Sequence, residues 1–224
     1  MERLARSKSI TIAALITFLM VGIEIVQAIN GKPIPSAANL SGILIIFVLP
    51  ILFLIINRTL KKAPKPYLTK KQKILLVVDT ILLELFITLF FAGVYTSLAG
   101  DLQDNPGLEL SDGEYIFTMI LLAWQLLGEE AMKISIFLFI YKDISYKQEK
   151  NKQYVIAWLI SVTVFGLMHL STYGFNFVHC ILIIGLPTIL YAIVWAISEK
   201  PLYMWLIHFL YDFFIFSIVF LGVQ

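Results

Sequence analysis

The groups in this 224-residue chain with the greatest chemical potential are two adjacent carboxylates and two imidazoles, all set within apolar runs. Glu129 and Glu130 interrupt one such run, His169 closes a second, and His208 with Asp212 lies in a third. A further histidine, His179, stands near the start of another run. An ionisable side chain at a bilayer centre costs about 2.5–3.5 kcal/mol on insertion scales, so such residues are rare and face a protein interior. Two glutamates and two histidines gathered by a helical bundle would form a working set for hydrolysis. One group takes a proton from water, and others steady the charge that develops on the carbonyl oxygen.

The local spacings sharpen this expectation. Lys133 follows Glu130 by three residues and Glu129 by four, so one lysine can reach either carboxylate on the helix face. Adjacent carboxylates in a low dielectric resist double ionisation, which suits one of them to carry a proton back and forth. The same triad also reads as a compensated ion pair that only pins helices together. Phe165 and His169 share a face at i,i+4 spacing, as do His208 and Asp212. The aspartate is expected to orient the imidazole. Taken alone, His169 reads more readily as an interhelical hydrogen-bonding residue, and His208 with Asp212 as a local hydrogen bond capping a polar pocket. His179, beside Asn176, reads as a residue of the membrane boundary that flanks the site. Glu24, Asp79 and Glu84 are further acids in apolar runs, expected to pair with one another or with Lys133, or to line a polar cavity.

Helices long enough to cross a membrane must position these groups. The chain is 59% hydrophobic and 14% charged, against about 25% charged in soluble domains. Seven apolar segments separate at about 9–29, 41–57, 74–97, 115–141, 154–172, 177–198 and 202–223. In hydrocarbon every backbone polar group needs an internal partner, and runs of this length without strand-like alternation are helices. The expected fold is therefore all-α: one integral membrane domain over residues 1–224, a polytopic bundle of about seven spans, with its motif-bearing core at about 115–224. Glu24 and the length of the first run argue for an uncleaved span rather than a signal peptide. Pro187 is expected to kink the sixth helix. The single cysteine, Cys180, excludes an internal disulfide and a Cys-rich zinc site.

Loop charges give the orientation. Arg3, Arg6 and Lys8 precede the first run, seven cations from Arg58 to Lys73 separate the second from the third, and Lys142, Lys147, Lys150 and Lys152 follow the fourth. Lys200 follows the sixth. The alternate loops hold Lys32 alone, and the loop between the third and fourth runs carries Asp101, Asp104, Glu109, Asp112 and Glu114. The bias of Lys and Arg toward the cytoplasm places the N-terminus inside and the C-terminus outside, in a multi-pass protein of the cell membrane. The basic loop serves this topology, and it could also bind anionic headgroups. A net charge of +2 gives no reason to invoke nucleic acid.

Three short patterns follow one another, each on its own span: Glu-Glu-x-x-x-(Arg) at Glu129-Glu130, Phe-x-x-x-His at Phe165 and His169, and His-x-x-x-(Asn/Asp) at His208 and Asp212. In this order they resemble the CAAX protease and bacteriocin-processing family of intramembrane endopeptidases, the self-immunity group related to the type II CAAX prenyl endopeptidases. The resemblance covers about half of the chain, roughly the fourth to seventh runs. It implies that Glu129 and His169 activate the attacking water, that His208 and Asp212 steady the oxyanion, and that Glu130 supports the site. It also implies a peptide bond near the membrane as substrate, and bacteriocin self-immunity or peptide processing as the setting. Two positions depart from the pattern. Ile134 stands where arginine is expected, with Lys133 one place earlier and about 100° around the helix. Asp212 stands where asparagine is common, and an ionised carboxylate cannot donate to an oxyanion.

Other chemistries fit less well. The chain has no His-Glu-x-x-His and no Gly-x-Ser-x-Gly. Tyr211-Asp212 lacks the later Gly-x-Gly-Asp of presenilin-like aspartyl proteases. Glu129, His169 and His208 are the candidate ligands should a divalent metal such as zinc take part, as in an intramembrane metalloprotease, although no cofactor is required by the family mechanism. A non-catalytic immunity or binding protein on the same fold is the chief alternative. A proton-coupled transporter using Glu24, Asp79, Glu84 and the histidines ranks lower, because no internal repeat is visible. The expected partners are membrane lipid and a peptide or protein substrate.

Overall fold

The computed structural model describes residues 8–31, 40–60, 68–102, 112–144 and 150–222. The loop charges Arg3, Arg6, Lys32, Lys61, Lys62, Lys65, Asp104, Glu109 and Lys147 lie outside the described residues. The described residues form seven helical rods and no strand. They are α1 Lys8–Asn30, α2 Leu40–Leu60, α3 Lys70–Ala99, α4 Asp112–Ile144, α5 Lys150–Leu167, α6 Phe177–Ser198 and α7 Pro201–Gly222. The rods α1, α2, α3, α6 and α7 are long and apolar enough to cross a membrane. The other two are the ones weighted with polar residues. Helix α4 carries Glu129, Glu130 and Lys133 at its centre, and α5 is only 18 residues long and opens with Lys150, Asn151, Lys152 and Gln153. The exposed side chains of α3 include Leu82, Phe86, Leu89 and Phe90, which is tolerable only against lipid.

Successive rods run antiparallel, so their ends fall into two sets. Contacts between Tyr115 and Ser217, between Tyr95 and Asn176, and between Glu24 and Ser171 join one set. Tyr154 on Ala192, and Phe137 against Trp195, join the other. The second set carries Lys8, Arg58, Lys70 and Lys200 and is the basic end; the first carries Asp101 and Glu114 and is the acidic end.

Local chemistry sets the starts and breaks of these rods. Thr69 caps α3 through a reciprocal pair in which Gln72 N–H donates to Thr69 Oγ1 and Thr69 N–H donates to Gln72 Oε1. Asn176 Oδ1 accepts from the His179 N–H at the start of α6. Two prolines remodel their helices in the same way. Pro187 cannot donate to Ile183 O, and around it α6 widens to a π segment, Cys180–Gly185, then tightens to a 3₁₀ turn, Leu186–Ile189. The expected kink is thus a change of helical type. In α2, Pro50 follows a π segment, Leu44–Val48, and frees the Ile46 carbonyl, which accepts the Trp124 indole N–H at 2.7 Å. That bond docks α2 on α4 one turn before the glutamate pair.

Glycines make the closest approaches. A Cβ on Gly128 would lie 2.6 Å from Ile45 O and 3.3 Å from Pro50 Cδ. On Gly185 it would lie 2.5 Å from Val162 O and 3.3 Å from Gly166 Cα, so α5 and α6 touch backbone to backbone. Overpacking such a contact costs about 1–3 kcal/mol. Gly185→Ala should therefore lower the thermal unfolding midpoint of the detergent-solubilised protein. Gly22→Ala, with nothing within 4 Å of the new methyl, should leave the midpoint unchanged or raise it. Equal shifts in the two variants would contradict this packing.

Candidate active site

The centre of the bundle is built on α4. Lys133 is fully buried, with Nζ 2.5 Å from Glu130 Oε1. Its ammonium lies 4.2 Å from the ring centre of Phe165 and 4.3 Å from that of Tyr191, so two aromatic faces and one carboxylate replace its hydration. Ser161 Oγ donates to Lys133 O at 2.6 Å, which fixes α5 against α4 and sets Phe165, one turn later, over the cation. Of the two carboxylates within reach by spacing, the structure joins Lys133 to Glu130. The expected arginine position is filled by Ile134, which is fully buried in the core.

Glu130 also holds His208. Its Oε1 lies 2.9 Å from His208 Nδ1, and Lys133 Nζ is 3.4 Å from the same nitrogen. A carboxylate accepts, so Nδ1 carries the hydrogen and Nε2 is turned toward the cavity. There Nε2 is 3.9 Å from Glu129 Oε2 and 3.7 Å from Asp212 Oδ2, both longer than a hydrogen bond. Asp212 thus stands at ion-pair distance from Nε2, in keeping with its spacing, while Glu130, on another helix, supplies the hydrogen bond that holds Nδ1. The i,i+4 spacing places Asp212 near the ring but not on it. Helix α7 itself is held by Trp205 Nε1–H donating to Ala123 O at 2.8 Å.

Glu129 points elsewhere than its neighbour. Its Oε1 accepts from Gln125 Nε2 at 3.0 Å, one turn earlier, leaving Oε2 toward His208. His169 lies just past the end of α5, in the turn that follows Leu167, where its i,i+4 relation to Phe165 survives as a local contact. Its Nδ1 is 3.0 Å from Phe165 O, and a carbonyl only accepts, so Nδ1 bears the hydrogen and Nε2 is the free acceptor. The turn is tied to α1 by Glu24, whose carboxylate accepts from Ser171 N–H at 2.8 Å and from Ser171 Oγ–H at 3.1 Å.

Glu129, His169, His208 and Asp212 all line one cavity of about 490 Å³. Glu130 does not; it lies beneath the floor with Lys133. Glu84 of α3 adds a third carboxylate to the wall and accepts from Tyr191 O–H at 3.3 Å. The other sequence-flagged polar residues sort as follows. Glu24 and Glu84 pair neither with each other nor with Lys133, and Asp79 is exposed, away from the cavity. His179 is buried, stacked on the cavity residue Tyr173 at 4.6 Å and edge-on to Tyr95 at 5.5 Å. Gln125 and Tyr191 escaped the sequence reading. Gln125 was detectable by its i,i+4 relation to Glu129, whereas nothing in the sequence links Tyr191 to Lys133 and Glu84.

Residues 112–214 match the family model described as type II CAAX prenyl endopeptidase Rce1-like. This stretch is similar to the CAAX protease family. Neither a curated protein nor a solved structure matches the chain. The matching segment runs from the start of α4 into α7 and contains Glu129, Glu130, His169, His208 and Asp212. Helices α1 to α3, with Glu24 and Glu84, lie outside it.

The matching segment is similar to a family of prenyl endopeptidases. No hydrogen bond or ion pair joins His169 to Glu129 or His208, and among the described residues no three His, Cys, Asp or Glu side chains are grouped to hold a metal ion. The arrangement does not fit a Glu129–His169–His208 metal centre.

Proposed function

We propose that the chain is an intramembrane endopeptidase of the cell membrane in which Glu129 and His169 activate water against a peptide bond of a membrane-associated substrate. Glu129 Oε2 and His169 Nε2 are the acceptors left free at the cavity wall, and either can take a proton from water as its oxygen attacks the carbonyl carbon. The carbonyl oxygen then becomes the oxyanion of a tetrahedral intermediate. His208 Nε2, when protonated, donates to that oxyanion. Collapse breaks the C–N bond, and the proton taken from water goes to the departing amine, leaving a carboxyl and an amino terminus. Glu130 and Lys133 position His208 and do not touch the substrate. The observation that carries this reading is the shared cavity of Glu129, His169 and His208 at mid-bundle.

The test is a comparison of peptides from membranes containing the wild-type chain or Glu129→Ala. At least one uncleaved precursor should accumulate with the variant and its fragments should disappear. Identical peptide sets, with the variant folded and inserted, would contradict the proposal. Because the reaction uses protein groups and water, dialysis of the purified protein against a chelator should leave the rate unchanged. Loss of activity restored by zinc would overturn that part. Asp212→Asn is expected to retain the wild-type rate or exceed it, since the amide can donate where the carboxylate cannot. A loss of more than about tenfold, 1.4 kcal/mol in the barrier, would assign Asp212 an ionised role.

A further inference from the structure

The cavity is one-sided. From Glu129 its α4 wall proceeds through Gln125, Leu122 and Thr118 toward the acidic end, a rise of about 16 Å at 1.5 Å per residue. From His208 its α7 wall proceeds through Asp212 to Phe216 in the same direction. No lining residue lies on α4 beyond Glu129 toward the basic end, nor on α7 before His208. That side is closed by the Glu130–Lys133 pair and then by packed rings. Phe137 stacks on Trp158 at 4.4 Å with Trp195 edge-on at 6.0 Å, and all three are fully buried or nearly so.

Charge tells which membrane face this is. Of the 17 Lys and Arg residues, Lys133 is buried in the site and Lys32 falls between α1 and α2; every other one is either on the basic end of a rod or, in the sequence, in a stretch adjoining such an end. Such a bias puts the basic end in the cytoplasm. The cavity wall has three carboxylates, Glu84, Glu129 and Asp212, and no Lys or Arg, while the described ends of α3 and α4 on that side carry Asp101 and Glu114.

Building on the peptidase reading above, we infer that the cavity opens on the extracytoplasmic face and takes peptide segments that arrive there carrying cationic side chains. A cytoplasmic chain terminus would meet the aromatic floor instead. An acidic peptide would meet like charge along the wall, which disfavours encounter.

Sidedness is tested without any need for activity. The full chain is expressed in cells as Thr118→Cys, Glu114→Cys or Lys200→Cys, with buried Cys180 of the wild type as the baseline. A membrane-impermeant maleimide should modify Thr118→Cys and Glu114→Cys in intact cells, and Lys200→Cys only after permeabilisation. Failure to label Thr118→Cys in intact cells overturns the inference. The substrate class is tested with a degenerate peptide pool added to sealed vesicles of both orientations. Glu129-dependent cleavage should occur in right-side-out vesicles, with Lys and Arg enriched beside the cut bonds. Cleavage that is equal or faster in inside-out vesicles, or that lacks this enrichment, overturns the claim. No Glu129-dependent cleavage in either orientation would overturn the peptidase reading and the substrate class with it, leaving the labelled sidedness intact.

Discussion

Glu129→Gln should lower the rate of peptide-bond hydrolysis by about 10²- to 10⁴-fold, the usual worth of a positioned general base, while leaving the fold in place. The amide keeps the size of the carboxylate and can still accept from Gln125 Nε2, now 3.0 Å from Glu129 Oε1. What it loses is the basic oxygen turned toward His208 Nε2. The loss should fall on kcat more than on KM, because the proton is transferred in the transition state and not on binding. Purified protein in proteoliposomes, with the peptide identified by comparing membranes, supplies the measurement. A fall in affinity with kcat unchanged would make Glu129 a binding residue only.

Lys133→Met should be the most destabilising single change in the bundle. Removing one partner of a fully buried pair strands the other, typically at a cost of about 3–5 kcal/mol. Glu130 Oε1 now accepts from both Lys133 and His208, while its Oε2 already lacks a hydrogen-bond partner in the protein. The variant would leave that carboxylate without its cation, which now lies between the Phe165 and Tyr191 rings. Lys133→Met with Glu130→Leu removes both charges and should recover most of the stability, since buried pairs can be replaced by apolar residues at little cost. Activity should not return with it, because His208 Nδ1 would lose its acceptor. A double-mutant cycle on unfolding free energy, read beside the hydrolysis rate, separates the two effects. If the double variant recovered both, Glu130 and Lys133 would have no part in placing His208.

Much of the architecture could be read from the chain because the bilayer imposes it. Apolar length locates the rods to within a few residues, and Glu129, His169 and His208 stand out because ionisable groups there are costly. The side-chain partners were less legible, for reasons visible in particular residues. Helical spacing offered Lys133 to either glutamate, and only the aromatic pair Phe165 and Tyr191, from two other helices, decides for Glu130. Spacing likewise suggested Asp212 as the partner of His208, whereas a contact across helices supplied Glu130. The apolar run places His169 within its helix, but α5 ends at Leu167 and Glu24 of α1 secures the turn that carries it. The lesson is that periodicity finds which groups are buried, and interhelical packing decides what they face.

The central claim is that Glu129 and His208, brought from helices far apart in sequence, act as one catalytic unit. The most direct measurement is kcat/KM for Glu129→Ala, His208→Ala and the double variant, in the same proteoliposomes and with the same peptide. Groups that act as a unit lose nearly everything on the first removal, so the account predicts three residual rates that are about equal. Losses that multiply, or full activity in either single variant, would contradict it.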